Sequence, residues 1–334
     1  MDSFSSVSSL LACHVGKGFG LGHLTRVIYL AKTMRDVGIK VHLLIQGDEF
    51  ATQILEEIPH QFIGFNKSFE ASVLELAKTT SFDLMAFDLH PSQITPNFLG
   101  LLSKLRTYKI KLVAIDGLAD YHSALDLVFI PSFEFEVPES CVDIEKFVFG
   151  WDSFLLNVED KYPNWQCGKK VLVLTGGSDA TGLGNLWPNE LNKKLEECCE
   201  VNWVTGPFSK LPIWPQCPRI KMTNHLAPSD LYGLMTNTNY AVTIYGVSFF
   251  ELLYYGIPTV VFSPYGDKDK KNLEIIKEKN LAIVADDEHD SIAKLILLMN
   301  DEQYARNMSS NALRQMSMRG GKKFLNKITK LLER

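Results

Sequence analysis

The sequence predicts an α/β protein of two domains, each built as a doubly wound parallel sheet. Short apolar runs alternate with segments of helical period along most of the chain, which is typical of βαβ units. The alternation stops at an irregular stretch and begins again near residue 170, and a glycine-rich turn follows the first strand of each half. With 334 residues, each half is long enough to bury its own core. We expect the ligand-binding edges of the two sheets to face each other across a cleft.

The composition is that of an ordinary globular protein. Hydrophobic residues make up 46% of the chain, and the net charge of −5 argues against a nucleic-acid-binding surface. None of the six cysteines forms a Cys-x-x-Cys pair, so we expect reduced thiols and neither a zinc site nor a disulfide framework. The amino terminus lacks the basic segment of a signal peptide, and no uncharged run approaches transmembrane length. We expect a cytoplasmic protein without membrane insertion, metal or cofactor.

The first glycine-rich loop is the feature around which the first half is organised. The apolar run 9–15 predicts a buried strand, and the residues after Gly22 have the period of a helix. Glycines at such a turn let the backbone approach a ligand, and the helix N-terminus suits a phosphate or a developing anion. His23 falls in the first helical turn, where the dipole disfavours its protonated form and leaves an imidazole able to accept a proton. The alternative is a helix-terminal polar residue without chemistry. The loop matches neither the dinucleotide fingerprint nor the P-loop.

The other elements of the first half follow from the same patterns. Gly38 stands where a helix C-cap glycine is expected, and Ser68 stands at an N-cap. The predicted strands are 40–45, 60–65, 82–87, 111–115 and 125–130, and the predicted helices are 48–58, 68–79 and 93–108. Asp88 and Asp116 each follow a strand, which places them at the same sheet edge as the glycine loop. They could act in catalysis, or each could only cap the turn that follows.

The second half restarts with a strand, a glycine turn and a helix. The predicted strands are 170–175, 201–205, 239–244 and 259–263, the predicted helices are 183–198, 249–255, 272–279, 290–299, 301–316 and 322–332, and 265–271 is predicted as a charged loop. The expected organisation is an N-terminal domain at 1–153, a linker at 154–168, a C-terminal domain at 169–316 and a terminal helix at 317–334.

A second candidate site lies where the strand 239–244 meets a helix. Gly246 and Ser248 place backbone and hydroxyl donors at a helix N-terminus, which forms a second anion cradle. Glu251 follows Ser248 by three residues in the first helical turn. That spacing fits a capping box, in which the carboxylate only caps its helix. It fits equally a carboxylate that accepts hydrogen bonds from ribose hydroxyls.

Short motifs in a fixed order resemble those of the GT-B superfamily of nucleotide-sugar enzymes. More narrowly, the sequence resembles the hydrolases of UDP-2,4-diacetamido-2,4,6-trideoxy-β-L-altropyranose in pseudaminic acid biosynthesis and the related spore-coat polysaccharide proteins. The motifs are 20–26, 112–118, 150–156, 176–179, and 246–251 with 256–258. The resemblance covers most of the chain and implies a GT-B-like fold of two Rossmann-type domains.

The resemblance implies an enzyme that releases nucleotide and free sugar from a UDP-activated amino or deoxy sugar, in surface polysaccharide or nonulosonic acid biosynthesis, without a metal. His23 would activate water or protonate the leaving oxygen, and Asp88 or Asp116 would orient it or hold sugar hydroxyls. The implied nucleotide or phosphate contacts are Gly20, Gly22, Gly177, Ser178, Gly246, Val247, Ser248 and Glu251, and the implied sugar contacts are Arg26, His90 and Asn272.

Departures from the family pattern fall on residues expected to touch the sugar. His14 stands where the family usually has Asp, and the segment Asp88-Leu89-His90 lacks the family's aromatic hydroxyl. The same site could therefore serve a glycosyltransferase, in which an acceptor hydroxyl replaces water. A catalytically silent nucleotide-sugar binder is a third possibility. A nicotinamide dehydrogenase is disfavoured because neither glycine loop carries the dinucleotide fingerprint.

Overall fold

The computed structural model describes residues 4–18, 20–48, 55, 58–159, 165–228, 230–264 and 266–333. The chain divides into two compact units: unit 1 comprises Met1–Asn157 and Met318–Arg334, and unit 2 comprises Val158–Ser317. Each unit is a parallel sheet flanked by helices, which confirms the predicted α/β class.

Unit 1 contains a seven-stranded sheet in the order β3-β2-β1-β4-β5-β6-β7, and every described pair in it is parallel. Its elements are β1 (Ser8–Val15), α1 (Gly22–Arg35), β2 (Lys40–Gly47), β3 (His60–Ile63), α2 (Phe69–Thr79), β4 (Leu84–Asp88), α3 (Phe98–Thr107), β5 (Lys111–Ile115), β6 (Leu127–Phe129) and β7 (Phe147–Val148). The central strands are almost continuously buried, because a parallel sheet covered on both faces has no solvent side. The direction of strand addition reverses between β1 and β4.

Unit 2 contains a six-stranded parallel sheet in the order β10-β9-β8-β11-β12-β13. Its elements are β8 (Lys170–Leu174), α4 (Trp187–Lys194), β9 (Glu200–Thr205), β10 (Lys221–Leu226), α5 (Leu231–Thr236), β11 (Tyr240–Ile244), α6 (Val247–Tyr254), β12 (Thr259–Phe262), α7 (Asp267–Glu278), β13 (Ile283–Val284), α8 (Glu288–Asn300) and α9 (Glu302–Gln315). Its reversal point lies between β8 and β11, so it repeats the winding of unit 1.

The terminal helix α10 (Gly321–Leu332) packs in unit 1. The backbone N–H of Gly321 donates to the hydroxyl of Tyr29 on α1, and a side chain at Gly321 would collide with that ring. The ammonium of Lys323 donates to Asp152, to Ser153 and to the carbonyl of Phe149. Part of the 150–156 motif therefore anchors the terminal helix.

Two predicted helix starts are wrong. Helix α3 begins at Phe98 and not near residue 93, because Pro91–Gln93 form a separate 3-10 turn and Pro96 does not continue a helix. Helix α7 begins at Asp267, inside the predicted charged loop. Its first turn contains Asp267 and Asp269, whose carboxylates suit the positive end of the helix dipole.

Four short elements were not predicted: β7, β10, α5 and β13. Strand β10 lies at the edge of its sheet and carries polar, partly exposed side chains, so it lacks the apolar run that identifies a buried strand. The predicted helix 48–58 lies almost wholly outside the described residues. Among the residues that are described, no helix combines the length and the apolar composition needed to cross a bilayer.

Candidate functional site

The candidate catalytic residues of unit 1 lie at the reversal point of its sheet. Strands β1 and β4 are neighbours there, with Cys13 paired to Asp88. His23 comes from the first turn of α1, directly after the glycine loop, and Asp88 is the last residue of β4. Ligands of open α/β sheets bind at the carboxyl ends of strands at such a point.

Asp88 is the centre of a buried hydrogen-bond network. Its carboxylate is fully buried, and Oδ1 lies 2.6 Å from Nδ1 of His23. Arg26 donates to both carboxylate oxygens, from Nη2 to Oδ1 at 2.7 Å and from Nε to Oδ2 at 2.8 Å. Burial raises the pKa of Asp88, but the charges and hydrogen bonds of Arg26 and His23 outweigh it and hold that pKa below its usual value. The carboxylate is therefore ionised at neutral pH.

The ionised carboxylate determines which nitrogen of His23 can act as a base. Asp88 can only accept hydrogen bonds, so the 2.6 Å contact requires a hydrogen on Nδ1 of His23. In the neutral imidazole, the lone pair is then on Nε2. Nη2 of Arg26 also lies 3.0 Å from Nδ1, but two donors do not bond to each other, and this group donates to Asp88 instead. A histidine oriented in this way by a carboxylate is arranged as a general base.

Arg26 contacts two carboxylates. Its Nη2 lies 3.1 Å from Oδ2 of Asp116, whose side chain is 45% exposed. Burial lowers the pKa of Arg26, but Asp88 and Asp116 raise it by more, so the guanidinium stays charged. Asp116 has a φ of +62°, a conformation that is costly outside glycine and is often found at functional sites. Of the two aspartates proposed to orient His23, Asp88 is the one that contacts it.

His90 lies beside His23, with ring centroids 5.9 Å apart and planes at 84°. Its Nδ1 accepts a hydrogen bond from the backbone N–H of Ser92 at 3.3 Å and lies 2.7 Å from the Ser92 hydroxyl oxygen. These contacts cap the turn Pro91–Gln93 and fix the orientation of the imidazole. The predicted sugar contact is thus adjacent to the predicted base.

The glycine loop is closed by its own backbone. Gly20 donates to the carbonyl of Gly16 at 2.7 Å and accepts in return from Gly16 N–H at 3.3 Å. The N-cap residue of α1, Leu21, makes no side-chain bond to the first turn. The first N–H groups of the helix therefore have no side-chain cap, which is the arrangement that binds anions.

In unit 2, helix α6 begins at the position where the anion cradle is predicted. Gly246 is the N-cap and makes no side-chain cap bond, and it has open space around its α-carbon. The capping box is not formed, because Ser248 is the second helical residue and Glu251 is the fifth. Glu251 is buried and hydrogen-bonds to the Ser248 side chain. Burial raises the pKa of Glu251 to about 7.

The Gly176–Gly177 turn packs against the loop that follows β9. The backbone N–H of Phe208 donates to the carbonyl of Gly177 at 3.0 Å, and a side chain at Gly206 would collide with the same backbone. Asp179 has a structural role here: it accepts hydrogen bonds from the backbone N–H groups of residues 183 and 184.

Sequence reasoning missed two hydroxyl side chains near the carboxyl ends of β8 and β9. Thr175 directly precedes the glycine turn and is 2% exposed, while Ser209 lies in the loop after β9. Within the described residues, neither hydroxyl oxygen has a hydrogen-bond partner. An unsatisfied buried hydroxyl is costly and calls for an explanation, such as a ligand. The available sequence signal was their position just beyond the ends of adjacent strands.

Asn272, the third predicted sugar contact, lies on α7 and hydrogen-bonds to the Tyr245 side chain. Tyr245 directly precedes Gly246, so Asn272 is linked to the start of α6. Burial raises the pKa of Tyr245 most, and the nearby Asp269 charge raises it further. The tyrosine is therefore a neutral hydroxyl at this edge.

A groove of unit 2 lies away from these residues. A polar groove of about 590 Å³ runs along the amino ends of β8, β9 and β11, and residues such as Trp165, Lys169 and Asn237 line it. It contains none of the predicted site residues. No group of three or more His, Cys, Asp or Glu side chains in the described ranges is arranged to hold a metal ion.

The sequence matches no family model and no curated protein. The structure is similar to many solved structures over nearly their whole length. It aligns with Acinetobacter baumannii MurG at a TM-score of 0.61 and 14% identity, covering 97% of this chain and 99% of that one. It aligns with Phytolacca americana UGT2, solved with UDP-2-fluoro-glucose and pterostilbene, at a TM-score of 0.66 and 13% identity, with coverages of 97% and 99%.

A third similar structure is that of a putative UDP-N-acetylglucosamine 2-epimerase from Listeria monocytogenes, with a TM-score of 0.63, 11% identity and coverages of 98% and 96%. At these identities the similarity establishes the fold alone. The chain therefore has the GT-B fold that glycosyltransferases and epimerases share.

Proposed function

We propose that this protein is a nucleotide-sugar hydrolase in which His23 is the general base. The observation that carries the proposal is the His23–Asp88–Arg26 network at the reversal point of the unit 1 sheet. Asp88 holds the imidazole by Nδ1, and Arg26 holds Asp88 ionised. Nε2 is thereby the nitrogen that accepts a proton from water, and general base catalysis of this kind contributes about 10²- to 10⁴-fold to a rate.

Unit 2 carries the proposed nucleotide site. The uncapped N-terminus of α6 would face the diphosphate, together with the Gly176–Gly177 turn and the unsatisfied hydroxyls of Thr175 and Ser209. Glu251, buried without a basic partner among its interactions, would accept hydrogen bonds from the ribose. UDP is the nucleotide that the sequence resemblance implies, and an amino or deoxy sugar is the implied sugar.

A glycosyltransferase is the second candidate. The same Nε2 would then take the proton of an acceptor hydroxyl instead of water. The observation that favours it is the fold, which is shared with UGT2 in its complex with a sugar donor and pterostilbene. This support is an analogy at the level of the fold, whereas the His23 network supports either nucleophile.

The deciding experiment incubates the protein with UDP-, CMP-, GDP- and dTDP-sugars without an acceptor and follows free nucleotide and reducing sugar by chromatography. Release of both from one donor is expected.

The variant His23→Ala should lose about 10²- to 10⁴-fold in turnover while its affinity for UDP, measured by calorimetry, stays unchanged. His122→Ala is the matched control, since His122 contacts Ser140 at 3.3 Å and the ring of Phe147 rather than a member of this network. Full activity of His23→Ala would overturn the proposal. Nucleotide release that requires an added acceptor would replace hydrolysis by transfer.

A further inference from the structure

His14 joins the two sides of the reversal point in unit 1. It is the second-last residue of β1 and is 1% exposed. Its Nδ1 accepts a hydrogen bond from the backbone N–H of His90 at 3.1 Å. The bond holds the segment 88–90, which begins at Asp88, the last residue of β4, and ends at His90.

The tautomer of His14 follows from this bond. Because Nδ1 accepts, the imidazole is neutral and has its hydrogen on Nε2. Burial, together with the nearby His23 and His90, lowers the pKa of His14 to about 4, so the acceptor is present throughout the physiological range. The Gln46 side chain is an electrostatic neighbour of the same imidazole, and its Nε2 donates to the carbonyl of Lys67 at 2.8 Å.

Two aromatic rings fix the plane of the imidazole. The Phe69 ring packs edge-on against His14 at 5.5 Å, and the Phe65 ring does so at 6.1 Å. With the ring held in place and one nitrogen bonded to His90, the imidazole has a single orientation. Its effect reaches the candidate base through His90, whose ring lies against that of His23.

We propose that His14 is a positioning residue: its bond to the His90 backbone fixes the 88–90 segment and thereby sets His90 and Asp88 against His23. The proposal rests on the function proposed above, in which His23 is the base. His14 acts through the backbone, so what matters is an acceptor atom at the position of Nδ1. The aromatic ring itself is not required.

The test compares two substitutions of equal size. In His14→Asn the amide oxygen can take the place of Nδ1 and accept from the His90 N–H, whereas His14→Leu has the same shape and no acceptor. We expect kcat to fall about tenfold in His14→Leu, with KM nearly unchanged, and to stay within about twofold of wild type in His14→Asn. Equal losses in the two variants would assign His14 to packing alone, and full activity in His14→Leu would overturn the proposal as well.

A second measurement needs no activity. In protein with 15N-labelled histidine, long-range proton–nitrogen spectra should show His14 as the Nε2–H tautomer, without titration between pH 5.5 and 8. Exchange of the His90 amide hydrogen should be slow in wild type and His14→Asn and fast in His14→Leu. A His14 hydrogen on Nδ1, or fast exchange in all three proteins, would overturn the proposal. If the spectra show the expected tautomer and wild type turns over no nucleotide sugar, the His14–His90 hydrogen bond is confirmed and the proposed hydrolase function is refuted.

Discussion

Unit 1 concentrates charged side chains at its candidate site, whereas the candidate site of unit 2 offers backbone N–H groups, hydroxyls and the buried carboxyl of Glu251. In unit 1, Arg26 and Asp88 are both buried and neutralise each other, and Asp88 holds His23. In unit 2, Glu251 is buried beside the Ser248 hydroxyl, and burial disfavours its charged form. The first arrangement suits proton transfer, and the second suits the binding of an anion that brings its own charge.

The largest effect is expected from Asp88→Asn, which removes the charge at the centre of the unit 1 network. It leaves Arg26 buried with only the half-exposed Asp116 and allows His23 to take the wrong tautomer. We expect the free energy of unfolding to fall by about 3–5 kcal/mol and turnover by about 10²- to 10⁴-fold. Urea denaturation and initial rates measure the two effects. The control Asp116→Asn should cost less than about 1 kcal/mol in stability, and an equal loss there would refute a network centred on Asp88.

Glu251→Gln tests whether the buried Glu251 carboxyl in unit 2 has a raised pKa. In the folded protein the pKa of Glu251 is about 7, above the value of 4.5 for an unperturbed carboxyl. The folded state therefore binds more protons than the unfolded state between these values, and the wild type loses stability as pH rises through this window. At pH 8 the glutamine variant should be more stable by up to about 3 kcal/mol, and this advantage should vanish near pH 4.5.

Denaturant titrations at the two pH values measure this difference. The exposed Glu278 gives the control Glu278→Gln, which should show no such pH dependence. An advantage of Glu251→Gln that is the same at both pH values would mean that the pKa is not raised. If Glu251 also holds the ribose, UDP affinity should fall in the variant that stabilises the fold.

The smallest and most specific effect is expected from a pair of glycine substitutions, one in each unit. Gly246 has an extended backbone, with φ at 165°, and a methyl group there or at Gly18 meets no atom within 4 Å. Both Gly246→Ala and Gly18→Ala should therefore change stability by less than about 1 kcal/mol. A phosphate against the start of α6 would meet the new methyl group, so UDP affinity should fall about tenfold in Gly246→Ala alone. Calorimetric titration with UDP measures this affinity. Equal affinities in the two variants would show that the nucleotide does not bind against Gly246.

The sequence alone determined the winding of both sheets and the location of the two candidate sites. Buried strands such as β1, β8 and β11 coincide with local apolar runs, and the glycine turns after β1 and β11 mark the starts of α1 and α6. These signals are local in the chain, and local patterns are what a single sequence shows most clearly. Strand β10 was not predicted, because a strand at the edge of a sheet needs few apolar side chains.

Only the tertiary structure decided what the polar residues do. His23 and Arg26 share one face of α1, whereas Asp88 lies on β4, 65 residues after His23. Their hydrogen bonds to Asp88 therefore follow from the β1–β4 pairing. The tertiary structure shows that Asp88, and not Asp116, contacts His23. It also excludes the capping box at Glu251 and shows the hydrogen bond between His14 and His90. Burial and partners set the charge of each group, and both are properties of the packed chain.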